Sequence, residues 1–283
     1  MSDTFVRKII AKILGQADWR LWFALPVLTI ALLFAALGER IAPYSVTGYD
    51  YTAILTSPGP AHWFGTDELG RDILSRLIVA SRTSVLVAVG ATLLAAVAGS
   101  LIGLVVSYVG GRLEAAVTST ADIFIALPDI FFAILVMSLV APDPMVLTVT
   151  IGVIYTPQFI KMVSAMVQSA RHADYVTAAR AMGASGTRII FSDILPNIMP
   201  IIVVKFTLTV SSALLLEASL SFLGLGSPPP TTSWGQMVGS LKPYIYNNPW
   251  PILFPALTIF LVIMAVNVLG DWVQDYINPE ARR

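Results

Sequence analysis

Long apolar runs, divided by short polar stretches rich in Gly, Pro, Asp and Arg, set the rhythm of this chain. The first run covers residues 21–37 and follows a basic start bearing Arg7, Lys8, Lys12 and Arg20. Others follow at about 85–108, 117–140, 145–167, 198–223 and 252–272. About 20 apolar residues carry an α-helix across the roughly 30 Å hydrocarbon layer of a bilayer. The pattern predicts an all-α integral membrane protein with about six transmembrane helices. A basic start before an apolar run also marks signal peptides, but this run is long and no small-x-small cleavage site follows it. It reads as an uncleaved first span. Pro128 interrupts the third run and Pro157 lies within the fourth.

The polar stretches carry their own periodicities. In the longest, residues 43–84, Leu69, Ile73 and Leu77 recur at i, i+4 and i+8, with Thr66 able to cap and Asp67 and Glu68 at the positive end of the dipole. This predicts a helix lying along the membrane interface, laced by Asp67/Arg71 and Asp72/Arg76 pairs. A salt-bridged surface helix is preferred there over a carboxylate metal site. In the second span Ala91, Ala95, Gly99, Gly103 and Ser107 fall every fourth residue. Such a stripe lets helix backbones approach closely in lipid. Gly110-Gly-Arg-Leu-Glu then makes a tight turn.

The segment 169–196 is polar with one narrow apolar face. Asp174 is a plausible N-cap and Gly183 a plausible stop. Between them Tyr175, Ala178, Ala179 and Met182 lie at i, i+3, i+4 and i+7, with Arg180 beside them. An apolar stripe on a short exposed helix calls for a partner groove; the plainer reading packs it on the protein's own loops.

Composition strengthens the membrane reading. The chain is 56% hydrophobic and 12% charged, against about 25% charged in soluble proteins. With no cysteine, disulfides, thiolate chemistry and cysteine-bound metals are excluded. Two histidines, His62 and His172, far apart in sequence, make a poor metal centre. Lysine and arginine placement orients the chain. With the N-terminus inside, eleven of the 17 (Arg7, Lys8, Lys12, Arg20, Arg112, Lys161, Arg171, Arg180, Arg188, Arg282, Arg283) fall on the cytoplasmic side and five (Arg40, Arg71, Arg76, Arg82, Lys242) outside, with Lys205 inside a span. Both termini are expected in the cytoplasm. The organisation is then a cytoplasmic tail over 1–20, a first transmembrane helix over 21–42, and an extracytoplasmic segment over 43–84. A five-helix core over 85–277 holds a cytoplasmic loop at 169–196 and an outer loop at 224–250, and a tail at 278–283 ends the chain.

Ionisable residues within spans are functional candidates by default. Asp129 follows Pro128 near mid-membrane, where it either faces a central cavity or meets a polar partner in the bundle. Asp122 lies seven residues before it, near the cytoplasmic end. Lys205 is expected to snorkel to the cytoplasmic interface. Glu217, about 18 Å further along the same helix at 1.5 Å per residue, cannot pair with it. Asp271 reads as a solvated helix end or a contact to the loop at 169–196. An integral-membrane enzyme would need convergent catalytic groups, and no nucleophile–base pair or ligand cluster is evident.

Thr177-Ala-Ala-x-x-x-Gly183, followed by Ile194-Leu-Pro196, resembles the cytoplasmic "EAA" coupling loop of permease subunits in ABC importers. His62-Trp-Phe-Gly-Thr-Asp-Glu-Leu-Gly-Arg-Asp72, Glu217-Ala-Ser-Leu-Ser-Phe-Leu-Gly-Leu-Gly226, Pro229-Pro230 with Ser233-Trp-Gly235, and Asn267-Val-Leu-Gly-Asp271 resemble, in order, the second-permease type of the dipeptide/oligopeptide (peptide/nickel) importers. The similarity runs from about residue 20 to the end. It implies the ABC importer type I permease fold and one half of a translocation pathway for di- or oligopeptides. It also implies a multi-pass place in the cytoplasmic (inner) membrane of a bacterium or archaeon.

The partners implied are a homologous second permease, two ABC ATPase subunits, an extracytoplasmic solute-binding protein and membrane lipid, with no nucleic acid. The resemblance assigns coupling to Tyr175, Thr177, Ala178, Ala179, Arg180, Met182 and Gly183. Thr177 stands where the motif has glutamate, so any ion pair of that glutamate with the ATPase is lost and coupling rests more on shape and on Arg180. Asp129 stands where the family pattern has a small or hydroxyl residue. It is a candidate for the pathway, able to receive a peptide amino terminus. Glu217 is the second pathway candidate, with a structural role near the outer gate favoured. None of the five lysines follows a glycine, so there is no phosphate-binding P-loop. The chain is not expected to be an enzyme or to bind a cofactor, ATP and Mg being held by the partner subunits. A nickel or other small-solute importer is the alternative, and an ion-coupled secondary transporter a further one; the latter favours inverted repeats, which the sequence does not display.

Overall fold

A computed structural model describes residues 18–277. The tail cations Arg7, Lys8, Lys12, Arg282 and Arg283 lie outside the described residues, as does the tail over 278–283 and most of that over 1–20. Among the described residues the fold is all-helical apart from a single bridge between Thr66 and Asp72. Helix α1 (Trp19–Leu37) starts at Asp18, whose carboxylate accepts from the Arg20 N–H. Gly38, at φ +46°, ends it in a turn of 3-10 helix.

The next helix, α2, spans Ile73–Val109. Asp72 caps it, accepting from the backbone N–H and the hydroxyl of Ser75 at 2.8 and 2.7 Å. The interfacial helix expected from Thr66 does not form. The Asp67 carboxylate captures the N–H groups of Leu69 and Arg71, Gly70 takes φ +72°, and the chain folds into a tight loop. Ile73 and Leu77 instead open the span. At 37 residues α2 is about 55 Å long, well beyond the roughly 30 Å of hydrocarbon. The Asp67/Arg71 pair is present at 2.7 Å. The expected Asp72/Arg76 pair is replaced: Arg76 pairs with the fully buried Asp67, and Asp72 meets His62 at 2.9 Å.

Gly110, at φ +75°, breaks the chain before α3 (Gly111–Ala126). Pro128 then splits the third span. Proline forces its predecessor out of the helical region, and Leu127 is extended at ψ 131°. Helix α4 (Asp129–Leu139) leaves at 88° to α3. Helix α5 (Pro144–Ala170) tolerates Pro157. The short α6 (Asp174–Ala181) follows. A helical turn over Gly186–Arg188 and a π-helical turn over Ile189–Ile194 then feed α7 (Leu195–Phe222), so this span begins before the expected residue 198. The outer loop expected at 224–250 contains α8 (Trp234–Leu241), capped by Ser233. Helix α9 (Trp250–Ile277) ends the described chain. Among the described residues five helical stretches are long and apolar enough to cross a membrane, and the α3–α4 pair makes a sixth if it is one broken span.

Helices α2 and α5 form the centre, with α7 against α2 and α9, and α1 against α2 and α9. The small-residue stripe lies in the first of these seams. A Cβ on Gly99 would stand 2.6 Å from Phe159 Cβ and from the Thr156 carbonyl oxygen, and one on Gly103 would stand 3.0 Å from the Ile160 carbonyl. The backbones touch there because no side chain intervenes. Arg20 on α1 and Asp275 on α9 are joined at 2.6 Å, which puts the start of the first helix and the end of the last on one side.

Candidate functional site

Helix α6 divides its surface sharply. Val176 and Ala179 are buried against the fold, while Tyr175, Thr177, Ala178, Arg180 and Met182 are exposed, Met182 at 81%. Of the expected apolar stripe, Ala179 therefore turns inward, and Tyr175, Ala178 and Met182 face out. The N-cap is Ala173 rather than Asp174, which sits in the first turn, where its charge complements the dipole. At the other end the Ala184 N–H reaches the Ala179 carbonyl at 3.0 Å and the Gly183 N–H reaches that of Arg180 at 2.9 Å. These are the two bonds of a Schellman cap, with Gly183 left-handed at φ +81°. Thr177 bonds back to the Ala173 carbonyl at 3.3 Å.

The platform beneath α6 comes from residues remote in sequence. The Arg180 guanidinium lies 5.4 Å from the centre of the Tyr108 ring at the end of α2, and Gly186 packs closely on the same ring. Gln168 donates to Glu114 at 2.8 Å, and Arg171 donates to the Ser107 carbonyl at 3.1 Å while facing Glu114 at 3.6 Å. The ends of α2, α3 and α5 are thereby tied together next to α6. Sequence reading singled out neither Tyr108 nor Glu114 nor Gln168. No periodicity marks a contact between residues about 70 positions apart.

Within the membrane-spanning region charges are partnered across helices. Asp122 on α3 and Lys161 on α5 form an exposed ion pair at 2.9 Å. Lys205 does not snorkel; its ammonium donates to Gln158 Oε1 on α5 at 2.8 Å. Asp129, the first residue of α4, is half-buried and faces the Tyr155 hydroxyl of α5 and the charge of Lys205. Glu217 is fully enclosed. Its Oε1 accepts from Ser221 at 2.7 Å, and the hydroxyls of Ser84 and Ser233 stand beside the carboxylate. Ser84 also accepts the Trp234 N–H at 3.1 Å, and the Trp234 indole donates to the Leu77 carbonyl at 3.1 Å. Glu217 thus sits where α2, α7 and α8 meet, at the end of α2 opposite α6, with no exposed surface in this chain.

Residues 95–283 match the family model described as binding-protein-dependent transport system inner membrane component. The dipeptide or di/tripeptide transport system permease proteins of three bacteria align over most of their length. That of Pseudomonas aeruginosa is 35% identical over 89% of this chain and 86% of its own. That of Haemophilus influenzae is 34% identical over 90% and 88%, and that of Alkalihalophilus pseudofirmus 33% over 90% and 84%. With this match over more than half of its length, and with helices long enough to cross a bilayer, the chain belongs to the family of binding-protein-dependent transport system inner membrane components.

Proposed function

We propose that this chain is one of two homologous permeases in an ATP-driven importer and forms half of a pathway for di- or oligopeptides. An extracytoplasmic binding protein delivers the peptide, and two ABC ATPases on the cytoplasmic side hold ATP and Mg and perform the hydrolysis. Both termini lie in the cytoplasm in this reading.

The observation that carries it is the geometry of α6. Its inner face is locked on the fold by Val176 and Ala179, and its outer face offers Tyr175, Ala178 and Met182. A groove on an ATPase takes up that outer face, as helix-in-groove recognition requires. Closure of the ATPases on ATP then pushes a rigid lever. The Gly183 cap, the Arg180–Tyr108 stack and the Glu114–Gln168–Arg171 cluster pass the motion to α2, α3 and α5. Thr177 contributes shape and no charge. Asp129 belongs to the pathway wall; Glu217 holds the outer ends of the helices together.

The test is to tag the chain, purify it from its native membrane in mild detergent, and identify its companions. A second permease, ATPase subunits and a binding protein are expected, with ATP-dependent uptake of short peptides after reconstitution. Uptake of nickel and not of peptides would reassign the substrate. Purification of the chain alone, from several detergents and with the ATPases detectable in the input, would overturn the importer reading.

A further inference from the structure

We propose that Asp129 and Lys205, with Tyr155 and Gln158, form a membrane-embedded site for the two charged termini of a short peptide. The inference rests on the peptide-importer reading above and names what holds the substrate on the way through.

Three helices meet at this place. Asp129 opens α4 just after the 88° break, Tyr155 and Gln158 lie one turn apart on α5, and Lys205 lies on α7. Tyr155 is about 17 Å along α5 from its outer end, and Lys205 is about 15 Å along α7 from its inner end, at 1.5 Å per residue. Both positions fall near the middle of a 30 Å hydrocarbon layer. Charges at that depth serve a path or a partner.

The two charges act on one another, yet among the described residues no direct ion pair joins them. Lys205 donates one N–H to Gln158 Oε1 at 2.8 Å. Among the described residues its other N–H groups and the Gln158 amide N–H groups have no partner. Asp129 faces one hydroxyl, that of Tyr155, and stays partly exposed. A pair meant only to staple helices would close into contact, as Asp122 and Lys161 do at 2.9 Å.

Opposite charges held apart in this way match a zwitterion. The peptide's ammonium donates to the Asp129 carboxylate. The peptide's carboxylate accepts from Lys205 and from the Gln158 amide. A short peptide carries both charges on one small molecule, since two extended residues span at most about 7 Å. A bare divalent cation gains little here, because Lys205 opposes it, and a bare anion meets Asp129. The site selects both charges on one small molecule.

The test uses the purified complex of the permeases and ATPases without binding protein, so that only intramembrane binding is read. Its Tm is measured with millimolar alanyl-alanine, N-acetyl-alanyl-alanine and alanyl-alanine amide. The free dipeptide is expected to raise Tm by about 2 °C or more, and each blocked analogue to lose most of that rise. Asp129→Asn and Lys205→Gln abolish the rise, while Asp129→Glu and Lys205→Arg keep it, which separates lost binding from a weakened fold. Equal shifts from all three compounds, or a rise that survives Asp129→Asn and Lys205→Gln, would overturn the site. So would the absence of any rise in the unsubstituted complex. Uptake with the loaded binding protein is followed in parallel. Normal peptide uptake without a Tm rise sinks the site alone, and no peptide uptake sinks the functional reading and the site together.

Discussion

At the scale of the residue, two positions have costs that differ in kind. Asp67 has no exposed surface and neutralises Arg71 and Arg76 at once. Removing one partner of a buried ion pair leaves an uncompensated charge, at a cost of about 3–5 kcal/mol. Asp67→Asn is expected to lower the melting temperature of the purified complex sharply. Adding Arg76→Met restores part of it, since one of the stranded charges is then gone. Gly183 is different: nothing lies within 4 Å of where its Cβ would be, so the cost of a side chain is purely that of φ +81°. Gly183→Val costs about 1–2 kcal/mol locally and frays the cap of α6. Gly183→Asn, which tolerates the left-handed region, costs less. The measurement is ATP hydrolysis stimulated by loaded binding protein, expected to fall in the valine variant and to hold in the asparagine one.

At the scale of the element, the seam of α2 and α5 and the face of α6 make opposite demands. In the seam, Gly99→Ala drives a methyl into the Thr156 carbonyl. Overpacking of this kind costs about 1–3 kcal/mol, seen as reduced thermal stability. Gly90→Ala on the same helix meets only the Thr148 methyl at 3.2 Å, and is expected to be near neutral. On α6, Met182→Glu leaves the fold intact because the side chain is in solvent, yet is expected to uncouple ATP hydrolysis from uptake. Val176→Asp, on the buried face, lowers the yield of folded complex instead. The stripe and the stop at Gly183 were legible in the sequence, because a regular helix turns spacing into a face. Which half of the α6 stripe points outward was not. Ala178 and Ala179 are chemically the same, and only docking on the π-helical turn separates them. The helix expected from Thr66 failed for a related reason: the Thr66 hydroxyl bonds to the Ala53 carbonyl instead of capping, and the Asp67 carboxylate folds the chain back onto the N–H groups of Leu69 and Arg71.

At the scale of the whole molecule, the Arg20–Asp275 contact requires the start of the first helix and the end of the last to lie on the same side, as an even number of crossings demands. The chain has no cysteine, so single-cysteine variants report orientation without background. In right-side-out membranes an impermeant maleimide is expected to label Thr47→Cys and to spare Thr187→Cys until the membrane is opened. The reverse pattern would invert the orientation drawn from lysine and arginine placement. At the end opposite α6, α8 closes over α2 and α7: Gly235 fits against the Ala218 carbonyl, and Trp234 is buried on Leu77. An apparently loose Pro/Gly-rich loop is thus a packed element, hidden in the sequence because eight residues give too short a period to stand out.

The sequence alone determined the membrane class, the order of the long apolar helices, the break at Pro128 and the place of the short helix that ends at Gly183. Each of these follows from local chemistry: apolar length against bilayer thickness, proline's missing N–H, glycine's freedom at positive φ. Only the tertiary structure decided how charges are shared. It enclosed Glu217 among serines of three elements, turned Lys205 to Gln158 instead of to the interface, and set Asp129 against the Tyr155 hydroxyl. A charge within a span settles on whichever partner the packing of helices delivers, and that packing joins residues that spacing along the chain cannot relate.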